Sequence, residues 1–268
     1  VRVVVVTGAS DGIGAEIARQ LAARDGSAVA LVLAARDEAK LADVAAACAR
    51  HGAQALAVRT DVADPAQCRA LVAAAVARFG HIDVLVNNAG RSAHALFEDV
   101  ADLRWYEDLM RVNLWGAVWC TQAALPYLKA SRGSVVAVSS LAGLVGVPGR
   151  TAYSASKFAM TGFFEALRAE LKGAGVAVTV AYPGVVDTRI RYRGYNAAGE
   201  PMGYSGLREE GAMTVEECAR RIIAGMEGRR REVVMTLKGK LGRILKLVVP
   251  GLVERIALAA LKDDVKPR

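Results

Sequence analysis

The sequence predicts a doubly wound α/β fold, a parallel β-sheet with helices on both faces. Three observations lead there. Short β-branched runs alternate with stretches of helical periodicity, the pattern of repeated strand–helix–strand units. The runs are apolar throughout, as strands buried on both faces must be. Glycine-rich or polar segments follow several of the runs, and such sheets bind ligands at the carboxyl ends of their strands.

The elements follow in order. The first run, Val3-Val4-Val5-Val6, leads directly into Thr7-Gly8-Ala9-Ser10-Asp11-Gly12-Ile13-Gly14, and then into a helix with Ile13, Ile17 and Leu21 on one face. Strand, glycine turn, helix is the layout for holding a pyrophosphate. Glycine removes side-chain bulk, the backbone approaches the phosphates, and the helix N-terminus favours their charge. A plain glycine-rich turn is the competing reading.

Val29 to Leu33 forms the second strand, ending in Ala34-Ala35-Arg36. An acid at this strand end would bind the ribose hydroxyls of NAD(H), whereas an arginine accommodates a 2′-phosphate. No acid stands at Ala34 or Ala35, so Arg36 favours NADP(H), with NAD(H) as the alternative. Asp37 reads as the N-cap of the helix that runs through Arg50. The third strand, Ala55 to Val58, ends in Thr60-Asp61-Val62. There Asp61 either bonds an adenine amine or caps the turn before Pro65. A helix spans Ala66 to Phe79, and the fourth strand, Val84 to Val86, is followed by Asn87-Asn88-Ala89-Gly90. Asn88 and Gly90 suit a tight turn beneath a cofactor, or a purely structural one.

A long helix is expected from Leu103 to Leu128, with Asn113 among apolar residues inside it. Asparagine competes for backbone bonds in mid-helix, so this position signals a kink, a bound water or a site role. The fifth strand, Ser134 to Val138, delivers Ser140. Tyr153 and Lys157 then lie four apart in a helix from Thr151 to Lys172, one turn apart on one face. A lysine cation beside a phenol favours the phenolate, so this tyrosine can exchange a proton near neutral pH. The sixth strand, Val176 to Ala181, ends in Tyr182-Pro183-Gly184-Val185-Val186-Asp187-Thr188.

The totals fit one soluble globular unit: 268 residues, 53% hydrophobic and 23% charged, with neither repeat nor low-complexity tract. The four cysteines (Cys48, Cys68, Cys120, Cys218) are scattered and read as small core residues of a reducing compartment. The three histidines approach no metal-ligand spacing, so no metal site is expected. The opening residues read straight into a strand, without the pattern of a secretory leader, and no apolar run is long enough to span a bilayer. These features point to the cytoplasm. Of the net charge of +8, residues 229–268 carry 11 Lys/Arg against 4 Asp/Glu, whereas residues 1–228 carry 24 against 23. The body is nearly neutral and the tail basic. A basic tail suits an anionic surface. No nucleic-acid motif accompanies the charge, so a nucleic-acid partner is not expected.

Taken together, TGASDGIG (7–14), DV (61–62), NNAG (87–90), Asn113, Ser140, YSASK (153–157) and PGVVDT (183–188) resemble the short-chain dehydrogenase/reductase family. The likeness is close over residues 1–190, and a seventh strand is expected at Glu232 to Met235. The resemblance implies a Rossmann-type sheet of about seven strands and hydride transfer between a nicotinamide cofactor and a carbonyl or secondary alcohol. It implies that Tyr153 is the general acid in reduction and the base in oxidation. Lys157 would tune Tyr153 and hold the nicotinamide ribose, and Ser140 would orient the substrate oxygen. Asn113 would hold a water linking Lys157 to solvent. Val186 and Thr188 would meet the carboxamide, and Ser10 and Arg36 a 2′-phosphate. Gly8, Gly12, Ile13, Gly14, Asp61, Val62 and Asn88 complete the implied dinucleotide site. A homodimer or homotetramer is usual for the family.

Two segments depart from that pattern. Residues 189–212, rich in Arg, Gly and Tyr, stand where the family carries a substrate lid, and their aromatics suggest an apolar substrate of steroid, lipid or aromatic-ketone type. Leu96, Phe97, Val145, Val147 and Pro148 are expected to line the same pocket. Residues 1–237 then form the dinucleotide-binding and catalytic domain, and 238–268 a basic amphipathic helical tail. Its apolar face would be Leu241, Ile244, Leu245 and Val248, with Arg243 and Lys246 opposite and a second apolar segment from Leu252 to Leu261. Such a tail packs in a subunit interface or lies peripherally on an anionic membrane through residues 238–261.

Overall fold

The structure, a computed structural model, describes residues 1–207, 209–259 and 261. Seven strands form one sheet in the order β3-β2-β1-β4-β5-β6-β7, and every pairing is parallel. They are β1 (Arg2–Thr7), β2 (Val29–Ala35), β3 (Gln54–Arg59), β4 (Val84–Asn87), β5 (Ser134–Val138), β6 (Ala177–Tyr182) and β7 (Glu232–Val234). The helices are α1 (Gly12–Asp25), α2 (Glu38–Ala49), α3 (Pro65–Phe79), α4 (Arg104–Met110), α5 (Gly116–Ser131), α6 (Thr151–Glu170), α7 (Val215–Glu227), α8 (Leu237–Val248) and α9 (Pro250–Ala259).

The valine run of β1 explains the two-sided burial. Val4 and Val6 face a core shared with Leu31, Leu33, Ile17, Leu21 and Ile222. Val3 and Val5 face the opposite core, with Val32, Leu71, Cys120 and Phe164. Strand side chains alternate, so one apolar run serves both layers. All four cysteines are buried and free within these layers. The helix caps are local in origin. Asp37 Oδ1 accepts from Lys40 N at 3.1 Å and Asp64 Oδ1 from Ala66 N at 2.8 Å, the latter just ahead of Pro65 at the first helical turn. Gly80, at φ 82°, closes α3 in the left-handed conformation.

The expected long helix is one continuous helical run, but it is interrupted by a π-helical turn at Arg111–Trp115, between α4 and α5. Asn113 is its buried residue. Its Oδ1 accepts from Arg91 N at 2.7 Å, and its Nδ2 donates to Arg91 O at 3.0 Å and to Ser156 Oγ at 2.9 Å. The poor helix former thus marks a change of helical pitch that ties the run to α6.

The order reverses beside β1, whose neighbours are β2 and β4. That switch point is where the glycine turn after β1 and the Asn88 turn after β4 meet, and where an open sheet leaves a crevice. The tail lies beside it. In α8, Gly239 sits against Leu141, Lys246 Nζ donates to Leu144 O at 3.1 Å, and Arg243 pairs with Glu232. The apolar stripe of α8 turns away from the body: Leu237 is 71%, Ile244 59% and Val248 73% exposed. Leu241 is also exposed, while Leu245 is partly buried. From α9, Val253 is buried, and beyond it Leu261 bridges to Leu207. Residues 260 and 262–268 of the expected tail, and Arg208 of the segment 189–212, lie outside the described residues.

Candidate active site

The glycine turn is shaped by close approach. Gly8 adopts φ 65° and Gly12 φ 54°, in the left-handed region that favours glycine. A Cβ at Gly14 would lie 2.4 Å from both Gly8 O and Asn88 Nδ2. Asn88 Nδ2 donates to Thr7 O at 3.0 Å and to Gly8 O at 3.2 Å, and Thr7 Oγ1 accepts from Asn88 N and Ala89 N. Thr7 and Asn88 therefore stitch the two turns together and leave the N-terminus of α1 facing the crevice. The residues present fit a dinucleotide: a bare backbone cradle, and a helix start whose positive dipole end suits phosphate charge.

Beyond the cradle a cavity of about 280 Å³ opens. Ile13, Asn88 and Gly90 line it on one side, and Ser140, Tyr153 and Lys157 lie at its centre. Val186, Thr188, Ile190 and Arg191 line it from the segment after β6, and Val147, Leu207 and Ala257 add apolar surface. Ser140 is placed by the end of β5, and its Oγ accepts from Ala142 N at 3.2 Å. Tyr153 and Lys157 are held by the first turns of α6, both less than one-tenth exposed. Lys157 Nζ donates to Val138 O at 2.9 Å and stands 5.9 Å from the centroid of the Tyr153 ring.

The electrostatics favour an ionised tyrosine. Burial pushes the Tyr153 phenol up, but the charges of Lys157 and Arg150, a hydrogen bond with Ser140 and the charge of Arg191 outweigh it, and the group ends below its ordinary value. Burial also draws the Lys157 ammonium below its ordinary value, against the pull of Tyr153. A phenol in this setting can accept or give a proton next to a substrate oxygen that Ser140 can hold.

The cavity gathers Ile13, Asn88, Ser140, Tyr153, Lys157, Val186 and Thr188 from the expected set. Gly12 stands beside it, 3.4 Å from Thr188 Cγ2 if given a Cβ. Asn113 stays behind it, fully buried. A Cβ at Gly90 would lie 3.3 Å from Asn113 Oδ1 and 3.7 Å from Lys157 Nζ, so both stand close to Gly90. Gly8 and Gly14 shape the turn from beneath. Ser10 and Arg36 are not among the cavity's lining residues; Ser10 is half-buried, and Arg36 is exposed and without an ion-pair or hydrogen-bond partner among the described residues. Asp61 is occupied locally: its Oδ1 accepts from Ala63 N at 3.0 Å, the capping reading. Val62 packs against the position of Gly116.

Of the five side chains expected to line the substrate side, only Val147 does so. Phe97 lies in a short 3₁₀ turn at the surface, edge-on to Tyr106. The wall is instead built by the segment 189–212, which folds down against the loop after β4. His94 N donates to Tyr195 O at 2.8 Å, Tyr195 N donates to Ser92 O at 3.0 Å, and Arg193 pairs with Asp11 in the glycine turn. Arg150, Arg191 and Ala257 are lining residues that the sequence reading missed. The signal for Arg150 was a cation at a helix start, where the dipole disfavours it. Nothing local signals the other two.

A model of the short chain dehydrogenase family matches residues 2–196. The protein named 11-beta-hydroxysteroid dehydrogenase 1A of Arabidopsis thaliana is 35% identical over 260 residues, covering 94% of this chain and 73% of that one. A short chain dehydrogenase/reductase from Burkholderia phymatum, solved in complex with NAD, superposes with a TM-score of 0.80 at 26% identity over 94% of each chain. An alcohol dehydrogenase from the archaeon Thermococcus sibiricus, complexed with 5-hydroxy-NADP, gives 0.76 at 26% identity over 87% of this chain and 95% of that one.

Proposed function

The chain belongs to the short-chain dehydrogenase/reductase family and is an oxidoreductase of hydroxyl and carbonyl groups; from that premise we propose that it uses NADP(H) on an apolar ketone or secondary alcohol of steroid, lipid or aromatic type. The observation that carries this reading is the Ser140–Tyr153–Lys157 group, with Tyr153 and Lys157 buried, lining a cavity with mostly apolar walls. The bound nicotinamide cofactor supplies or accepts the hydride. The chain does the rest. Tyr153 gives its proton to the carbonyl oxygen in reduction and takes the hydroxyl proton in oxidation. Ser140 donates to the same oxygen and stabilises its developing charge. Lys157 keeps Tyr153 ionisable and holds the ribose. Asn113 steadies α6 through Ser156 and, with Gly90, borders the route along which a water can reach Lys157.

The phosphate preference is supported by Arg36, exposed just past the end of β2 and unpaired among the described residues, while Asp37 is engaged as a cap. The steroid or lipid class is supported by the Arabidopsis relative's name and by the apolar walls. For the tail, peripheral contact with an anionic lipid surface is supported by the outward stripe Leu237–Leu241–Ile244–Val248 and the adjacent Lys238, Lys240 and Arg243. No described helix is long and apolar enough to cross a membrane. For the homo-oligomer, support comes from the exposed Trp115, stacked on the partly buried Trp119 with ring centroids 5.9 Å apart.

The testing experiment is cofactor-resolved turnover: NADPH and NADH absorbance followed against a panel of apolar ketones, aldehydes and quinones, with Tyr153→Phe as control. Tyr153-dependent oxidation of NADPH by one compound class is the expected result. Tyr153-independent turnover, or equal use of NADH, would overturn the corresponding part.

A further inference from the structure

Three cations line the substrate cavity, Arg150, Lys157 and Arg191, and no carboxylate does. Arg191 is compensated, since its guanidinium pairs with Glu209 and its Nε also donates to Ser205 Oγ at 3.0 Å. Arg150 is not. It is 8% exposed, and among the described residues no carboxylate pairs with it. Its Nε donates to Ala93 O at 3.2 Å and its Nη2 to Ser92 Oγ at 2.6 Å.

This placement is costly twice over. Arg150 occupies the N-cap position of α6 without a side-chain capping bond, at the positive end of the helix dipole. Burying a charge without a counter-ion adds a desolvation penalty. The bonds to Ala93 and Ser92 tie the loop after β4 to α6, and a neutral donor would serve for that. A full charge needs an anion, and one potential anion is close. The guanidinium carbon lies 4.1 Å from the centroid of the Tyr153 ring, nearer than Lys157 Nζ.

We propose that Arg150 is a second cation that, with Lys157, stabilises the Tyr153 phenolate, so that the counter-ion of Arg150 is the proton-transferring oxygen itself. Arg150 is thus a positioning residue acting through Tyr153, and the inference rests on the reading of Tyr153 above. The other groups facing Tyr153 do not replace it. Ser140, after β5, is neutral. Arg191, in the segment after β6, is already paired with Glu209. His94, in the loop after β4, lies against Gly149 and Gly206. The lowered pKa of Tyr153 agrees, with Arg150 the next cation after Lys157 among its causes. One consequence concerns direction. With two cations beside it, the phenolate that alcohol oxidation needs forms at lower pH than in an ordinary tyrosine. The phenol that carbonyl reduction needs is lost over the same lowered range.

The test reads Tyr153 directly, without substrate or cofactor. The near-ultraviolet tyrosinate absorbance is titrated with pH, and the Tyr153→Phe curve is subtracted to isolate one phenol among seven. Arg150→Met should move the midpoint upward by about one pH unit or more, about tenfold less phenolate at a fixed pH below it. Arg150→Lys should restore most of the shift. Ser92→Ala, which removes the structural bond and keeps the charge, should leave the midpoint in place. An unmoved midpoint in folded Arg150→Met protein, or an equal shift in Ser92→Ala, overturns the inference while leaving Tyr153 as the acid–base group. A wild-type curve with no early-ionising tyrosine removes both.

Discussion

Tyr153 carries the sharpest consequences at the scale of single residues. Removing its hydroxyl leaves the cradle between Gly8, Gly14 and Asn88 untouched. Tyr153→Phe should therefore bind dinucleotide as the wild type does and lose turnover by about 10²–10⁴-fold, the usual contribution of a positioned acid or base; dinucleotide titration and steady-state rates measure the two separately. The pH dependence has a definite sign. The group ionises below the ordinary tyrosine value of 10.0. Oxidation requires the phenolate, so its rate should climb with pH and level off below that value. Reduction requires the phenol, so its rate should fall across the same interval. A pH–rate profile that runs the other way would place the proton on another group. Arg36 makes the second residue-scale prediction: Arg36→Asp should remove the phosphate contact and favour ribose hydroxyls, shifting the ratio of kcat/KM values from NADP(H) towards NAD(H). These residues were legible because each follows a strand or shares a helical face with its partner. Arg150 and Arg191 were not, because their importance depends on which carboxylates the fold brings near them, and spacing along the chain carries no record of that.

At the scale of elements, the strand–turn–helix unit β1–α1 behaves as one part. Gly14 lets α1 start directly above Gly8, and the clash of an added Cβ would be with a backbone carbonyl that cannot swing aside. Gly14→Ala should cost about 1–3 kcal/mol of stability, as overpacked sites do, read as a lower Tm together with weaker dinucleotide binding. Five of the seven strands were legible from apolar runs buried on two faces, and the edge strand β3, which is only partly buried, from its short apolar run; their ends fell within a residue or two. The run from Arg104 to Ser131 was legible as helix but not as a helix with a π turn. Hydrophobic periodicity averages over such a turn, and only the misplaced Asn113 betrayed it.

The whole molecule sets the substrate wall. Residues far apart in sequence, Val147, Leu207 and Ala257, converge on it, and no local pattern foretold that Phe97 would face solvent instead. The tail serves two surfaces at once: α9 closes the cavity, while α8 turns apolar residues outward among lysines and arginine. Ending the chain before Leu237 should raise KM for the substrate more than it alters dinucleotide affinity. It should also abolish co-sedimentation with vesicles containing phosphatidylserine, which the full chain should show and high salt should weaken. Binding to neutral vesicles alone would argue for apolar insertion without charge.

The π turn at Arg111–Trp115 has a consequence for insertions and deletions. A π turn is an α-helix that has accommodated one additional residue, and each α-helical residue advances the helix by about 100°. Losing one exposed residue of the turn would let regular hydrogen bonding resume with α4 and α5 still in phase, so Gly116 would keep its slot, where a Cβ would come within 2.8 Å of Val62 O. A deletion inside regular α5 has no such slack and would turn everything beyond it by about 100°. The π turn is therefore the one place in this run that can absorb a change of length. Across a library of variants, single-residue deletions at Arg111 or Trp115 should fold where single-residue deletions in the middle of α5 fail.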